Sequence, residues 1–160
     1  MIKFFCLLFP AIITCKSIIC QVKPPPVNPG TTTVKKFKPP VVTTFLGRNV
    51  KSANITASEA NQLLSIPLKI TDDKNIPYPV SSYQFLYRKK SIIENETTGK
   101  KEVVFTIVSD RFKATPLPQL WVNNIAGGLQ KDEELYFFDI VVTDKLNRKF
   151  FAPDVKLRIQ

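Results

Sequence analysis

Short segments in which apolar and polar side chains alternate run through most of this chain, and they limit the folds it can adopt. Residues 80–90, VSSYQFLYRKK, place Tyr83, Phe85 and Tyr87 on one side of an extended backbone, because successive side chains of a strand point to opposite faces. Residues 101–110 alternate in the same way, and the ENETTGK between the two segments has the composition of a turn. The pattern predicts a β-hairpin.

Further strands are predicted at residues 41–47, 64–70, 134–142, 148–151 and 155–159. The segment 64–70, LSIPLKI, has four apolar residues on one face of a strand, and Pro67 favours a position at a sheet edge; these four are Leu64, Ile66, Leu68 and Ile70. The segment 134–142, ELYFFDIVV, is apolar on both faces, which is typical of a central strand.

Two short helices interrupt the strands. Thr56 is followed three residues later by Glu59, the spacing of a capping box that begins a helix. The stretch PLPQLWVNNIAGGL predicts a second helix that ends at its two glycines. Its apolar residues with helical spacing are Leu117, Leu120, Trp121 and Ile125.

About seven short strands, two short helices and no alternation of strand with helix predict a mainly β fold. We expect an antiparallel immunoglobulin-like β-sandwich with one or two short helices over residues 41–160. All three cysteines lie in the first twenty residues, so the cysteine pair of immunoglobulin domains is absent and the prediction concerns architecture alone.

The N-terminal residues 1–20 have the layout of a signal peptide, with Lys3 preceding the apolar run FFCLLFPAIIT. This predicts a periplasmic or secreted protein of a bacterial cell envelope, and lipidation of Cys20 is an alternative fate of this segment. Residues 21–40 hold six of the thirteen prolines and are predicted to form an extended proline-rich tether. A disordered N-terminus is the alternative.

The positive charge of the chain would attract nucleic acid, an anionic membrane or an acidic protein, and the alternative is a basic surface that only faces water. The whole sequence carries 23 basic and 13 acidic residues. Removal of residues 1–20, which hold Lys3 and Lys16, leaves 23 − 2 = 21 basic residues and a net charge of 21 − 13 = +8. Export argues against nucleic acid as the partner, and the basic residues are spread out rather than arranged in a stripe.

The composition argues against an enzyme. The chain has no histidine, which removes Ser–His and Cys–His catalysis, and a zinc site would need cysteines that export removes. We predict no cofactor, no metal and no small-molecule substrate. Carboxylates remain at Asp72–Asp73 and 132–134, where turn acids usually face water, and at Asp139. Asp139 interrupts an apolar strand, so it is either inward and hydrogen-bonded or outward at a bulge.

The order of segments ITASEANQLL, GGLQKDEELYFFDI and TDKLNRKFFAPDVKLRIQ resembles the C-terminal domain family of the gliding-motility protein GldM, part of the type IX secretion machinery. The resemblance covers about residues 41–160 as a single-domain relative. It implies a β module of the periplasm or envelope that docks on another protein. The matching residues are Ile55, Ser58, Glu59, Gly128, Leu129, Lys131, Tyr136, Phe137, Asp139, Ile140, Asp144, Arg148, Leu157 and Ile159.

We therefore predict a secreted or periplasmic, non-enzymatic protein-binding module that uses strand edges and basic side chains. Membrane attachment is expected only through a lipid at Cys20. The candidate partner-binding residues are Arg88, Lys89, Lys90, Lys145 and Arg148.

Two alternatives come from other functional classes. A cell-surface adhesin or carbohydrate-binding module would need exposed clustered aromatic rings. An envelope hydrolase would use paired acids at Asp72–Asp73 or 132–134, held roughly 5–10 Å apart. The aromatic candidates are Tyr78, Tyr83, Tyr87 and Trp121.

Overall fold

The computed structural model describes residues 36–160, except for the side chain of Val50. Within this range, Phe37–Gln160 forms one compact unit. The predicted signal peptide, the lipidation site at Cys20 and most of the predicted tether lie outside the described residues.

The described residues form nine strands and two helices. In chain order these are β1 (Val42–Leu46), β2 (Asn49–Val50), β3 (Ser52–Ile55), α1 (Ala57–Leu63), β4 (Leu68–Asp72), β5 (Val80–Glu94), β6 (Lys101–Phe112), α2 (Gln119–Ile125), β7 (Glu134–Thr143), β8 (Lys149–Ala152) and β9 (Val155–Ile159).

The strands form two sheets, which confirms the prediction of a mainly β fold. The smaller sheet has the order β2-β1-β4 and the larger has the order β3-β9-β7-β5-β6, with β8 also paired to β7. The hairpin predicted from residues 80–110 is the β5–β6 pair. All pairs are antiparallel except β3 with β9, which run parallel.

Side chains from both sheets and both helices fill one core. The smaller sheet contributes Leu46 and Ile70, and the larger contributes Phe85, Leu135 and Leu157, all of them almost fully buried. Each such side chain stabilises the fold by about 1.5–3 kcal/mol relative to an exposed position. The alternation predicted for Tyr83, Phe85 and Tyr87 is confirmed, since all three are buried.

Helix α1 begins as its capping box predicts. The Glu59 backbone N–H donates to the Thr56 Oγ1 at 3.2 Å, which satisfies one free donor of the first turn. The strand predicted from Leu64 begins only at Leu68. Leu64 instead ends α1, where its N–H donates to the Ala60 carbonyl at 3.0 Å, and Ile66 is 39% exposed.

Helix α2 buries a narrower face than its spacing predicts. Val122 and Ile125 face the core and Leu117 is buried just before the helix, whereas Leu120 is 70% exposed. Val122 and Ile125 define the inner face by their three-residue spacing, and Leu120 lies outside that face.

Strand β7 is central, as predicted, but its inward face changes at Asp139. Asp139 has a φ of 48°, and the β5–β7 register shifts next to it, because one extra residue of β7 forms a bulge. Leu135 and Phe137 are buried before the bulge, and Ile140 and Val142 after it. A regular strand would have placed Asp139 on the same face as Leu135 and Phe137, and the bulge turns it outward.

Asp139 is outward, which decides between the two alternatives for this acid. Its carboxylate accepts a hydrogen bond from the Gln84 Nε2 at 2.6 Å. Before the bulge β7 pairs with β9, and after it with β8.

Candidate functional site

A groove of about 540 Å³ lies among three connecting segments. They are residues 37–40 before β1, residues 76–79 between β4 and β5, and residues 143–148 from the last residue of β7 to the start of β8. This volume falls within the range of about 300–1,000 Å³ that is usual for binding pockets.

Aromatic rings form the floor and wall of the groove. Phe37 and Tyr78 both line it, and both rings pack edge-to-face on the buried Phe150, with centroid distances of 6.3 and 5.5 Å. Leu146 adds an apolar side chain at the rim that is 71% exposed. The groove therefore offers apolar surface to a ligand.

Asp144 shapes the turn at one side of the groove. Its carboxylate accepts from the N–H groups of Leu146 and Arg148, at 2.8 and 2.9 Å, and from the Arg148 Nε at 2.7 Å. Partial burial would raise the pKa of Asp144, but these donors outweigh it and hold the pKa below its usual value. The Arg148 guanidinium also lies 4.0 Å from the centre of the Phe37 ring. Its ion pair with Asp144 holds it in this position and neutralises its charge.

Asp72 shapes the opposite side in the same manner. It accepts from the N–H groups of Lys74 and Ile76, at 2.9 and 2.8 Å, and from the Tyr78 hydroxyl at 3.2 Å. Burial raises the pKa of Asp72, and these hydrogen bonds more than offset it, so the pKa is lowered. The Asp72 carboxylate positions Tyr78 at the groove wall, and its oxygens are occupied by hydrogen bonds within the turn.

Two lysines give the groove its charge. Lys38 and Lys145 line it, and within residues 36–160 neither ammonium group forms an ion pair. Because Asp144 is matched by Arg148, these two charges are uncompensated at the groove. They would attract a carboxylate.

The other predicted basic cluster, residues 88–90, is divided between two faces of β5. Arg88 pairs with Glu134 at 3.5 Å and lies 3.6 Å from the centre of the Phe105 ring. Lys90 pairs with Asp132 at 3.5 Å. Lys89 lies between them in the strand and points to the opposite face. The structure thus places Lys145 and Arg148 together at the groove and Arg88–Lys90 elsewhere.

The acids at 132–134 bind other side chains and backbone groups of the fold. Asp132 also binds Arg158 at 2.8 Å, and Glu134 binds Lys156 at 3.0 Å. Glu133 is fully buried, although turn acids were expected to face water. Extending the alternation of Leu135 and Phe137 one step back would have placed it inward.

The aromatic side chains proposed for carbohydrate binding do not form an exposed cluster. Tyr83 and Tyr87 are buried in the core. Trp121 packs edge-to-face on Phe85 and Phe112 with centroid distances of 5.7 and 5.4 Å. Only Tyr78 of the four lines the groove.

No group of three or more acids and cysteines in residues 36–160 is arranged to hold a metal ion. No helix in this range is both long and apolar enough to span a bilayer. Comparison with protein-family models and with curated proteins gives no match.

Proposed function

We propose that this protein is a non-enzymatic protein-binding module of the bacterial cell envelope, periplasmic or secreted. Its groove would hold an extended acidic segment of a partner protein. The observation that carries the proposal is an aromatic groove with two lysines that lack ion-pair partners among the described residues. In this reading it serves as a docking domain, as the resemblance to the GldM C-terminal family implies.

The chemistry of the groove favours a peptide with apolar and acidic residues. Phe37, Tyr78 and Leu146 would bury the apolar side chains of such a segment. Lys38 and Lys145 would pair with its carboxylates, and their charge would speed encounter with an acidic partner. A volume of about 540 Å³ suits a few residues, so the partner would insert a short segment.

The proposed architecture is an immunoglobulin-like β-sandwich. In such a fold, loops gather at the ends of two packed sheets and bind partners there. The groove is likewise built from loops that connect strands of both sheets, since β4 belongs to the smaller sheet and β7 and β8 belong to the larger.

A photoreactive residue in place of Leu146 tests the proposal in cells. Irradiation should join it to an acidic segment of one envelope protein, identified by mass spectrometry. Phe151 is the matched control position, since both side chains are 71% exposed and Phe151 does not line the groove. A photoreactive residue there should give no such product.

Charge reversal at the groove should remove the product. The variant Lys38→Glu/Lys145→Glu should weaken binding of the identified segment at least about tenfold, or about 1.4 kcal/mol. The same reversal at the exposed Lys69, on β4, should leave binding unchanged. Equal binding by all three proteins, or a small molecule as the only occupant, would contradict a protein-docking groove.

A further inference from the structure

Strand β6 (Lys101–Phe112) is an open sheet edge. It is the last strand of the larger sheet, paired with β5 alone among the described strands. All but two of its residues are exposed. Its free backbone N–H and C=O groups therefore form a template for another strand.

Half of the β5–β6 hairpin extends beyond the rest of the sheet. Pairing of β5 with β7 ends at Arg88, so the ladder from Lys89↔Thr106 to the turn has two strands only. A two-stranded ladder without further packing is marginally stable in water. This arm nevertheless exposes large apolar side chains, namely Ile92, Ile93, Val103 and Phe105.

We propose that β6 pairs antiparallel with β6 of a second copy of this chain, with Phe105 opposite Phe105. The resulting dimer joins two six-stranded sheets into one continuous sheet. A two-fold axis perpendicular to the sheet relates two antiparallel strands, so it keeps each side chain on its own face. Odd-numbered residues then lie opposite odd-numbered residues, and even opposite even. The two-fold axis must therefore pass beside one residue of β6, which lies opposite the same residue of the second copy.

The side chains of β6 favour the register centred on Phe105. There, Val103 opposes Ile107 of the second copy, and these residues are 54% and 61% exposed in the single chain. Lys100, which directly precedes β6, lies opposite Asp110 of the second copy, which pairs opposite charges. Cross-strand pairs of both kinds stabilise sheets.

The adjacent registers match less well. Centring on Thr106 places Glu102 opposite Asp110 and Lys101 opposite Arg111, so like charges face each other twice at each end. Centring on Val104 places Lys101 opposite Ile107. Centring on Val104 also pairs Val103 with Phe105, but only the Phe105 register of the three gives each of the outward-facing Val103, Phe105 and Ile107 an apolar partner and opposes no like charges.

The dimer also explains the apolar arm. In the Phe105 register the arm of each copy lies along the part of β6 that the other copy's sheet supports. The Arg88 guanidinium already covers one face of Phe105 and is paired with Glu134. The contact therefore introduces no unpaired charge at the centre of the interface.

Sedimentation equilibrium of the full chain, in reducing buffer so that the N-terminal cysteines stay apart, tests the proposal. The chain should be a dimer at micromolar concentration. Val103→Glu and Ile107→Lys should each raise the dimer dissociation constant at least about tenfold. The double variant should restore dimerisation, because each introduced Glu then opposes an introduced Lys of the other copy. Leu120→Lys, at a more exposed position on α2 (70%), is the control and should stay dimeric.

A monomer at all concentrations up to about a hundred times that range would overturn the proposal. So would a dimer that the single variants leave unchanged, or one that they weaken and the double variant fails to restore. Circular dichroism and urea midpoints equal to those of the parent show that each variant folds. The groove variants do not touch β6, so failure of the dimer and failure of the docking proposal are separate results.

Discussion

At the scale of single residues, Glu133 is a buried acid that joins several segments of the fold through hydrogen bonds. Its buried carboxylate accepts from the Tyr87 hydroxyl at 2.7 Å, the Lys90 N–H at 2.8 Å and the Gln130 N–H at 3.0 Å. These donors come from β5 and from the segment that precedes β7. One side chain therefore fixes the loop after α2 against the sheet.

Removing this carboxylate should cost far more than removing an exposed one. Glu133→Ala leaves the buried Tyr87 hydroxyl and the partly buried N–H groups of Lys90 and Gln130 without this acceptor, and a buried donor left unsatisfied costs about 1–3 kcal/mol. We expect a loss of about 2–3 kcal/mol in the free energy of unfolding, measured by urea denaturation. Glu133→Gln keeps one carbonyl acceptor and should lose less.

The matched control is Glu94→Ala. Glu94 is exposed and its ion pair with Lys101 is long, at 3.8 Å, so its removal should change the free energy of unfolding by less than about 0.5 kcal/mol. If Glu133→Ala were as stable as Glu94→Ala, the three hydrogen bonds would not support the loop.

At the scale of elements, the bulge in β7 lets one strand serve two partners. The extra residue changes which side chains of β7 face the core, from odd-numbered before the bulge to even-numbered after it. The first part of the strand pairs with β9 and the second part with β8. Ile140 and Val142 reach the core only because of that extra residue. The bulge depends on a positive φ at Asp139, a backbone conformation that residues other than Gly, Asn and Asp rarely adopt.

The stability of variants at Asp139 should depend on how well the new residue tolerates a positive φ, and not on its strand propensity. Asp139→Val places a β-branched residue at a φ of 48° and should destabilise the protein by about 2 kcal/mol. Asp139→Gly fits the backbone but loses the bond to Gln84, so it should stay within about 1 kcal/mol of the parent.

The control for strand propensity is Thr43→Val in β1, a half-buried position without a positive φ. It should change the free energy of unfolding by less than about 0.5 kcal/mol. An Asp139→Val protein as stable as the Asp139→Gly protein would show that the bulge tolerates a branched side chain.

The elements that sequence predicts well are local ones. The capping box of α1 and the alternation of Tyr83, Phe85 and Tyr87 follow from neighbours within a few residues. The bulge at Asp139 shows no local signal except a polar residue in an apolar run, since it is set by pairing with β5. The predicted start of β4 was wrong because Leu64 fits the apolar spacing of a helix and that of a strand equally well.

At the scale of the whole molecule, long-range pairing decides what sequence cannot. The parallel β3–β9 pair joins segments about a hundred residues apart, and no short pattern specifies this pair or the division of the strands into two sheets. The groove shows the same limit. Lys145 and Arg148 were identified by their charge, but their aromatic neighbours Phe37 and Tyr78 come from distant segments.

The tyrosines of the molecule should couple its stability to alkaline pH. Burial raises the pKa of Tyr83 and Tyr87, and the Tyr87 hydroxyl also donates to Glu133. The hydrogen bond to Asp154, with some burial, raises the pKa of Tyr136 to about 12. The ordinary value is 10.0, so the unfolded chain loses these protons first.

Between pH 10 and about 12 the folded state binds more protons than the unfolded state, so the free energy of unfolding should fall as pH rises through this range. Below pH 10 this contribution is complete. Tyrosinate absorbance should therefore rise together with loss of circular dichroism, not before it. In Tyr136→Phe, which loses one of these phenols, the urea midpoint should depend less steeply on pH. Tyrosinate that forms near pH 10 in the still-folded protein would mean that these phenols are open to water.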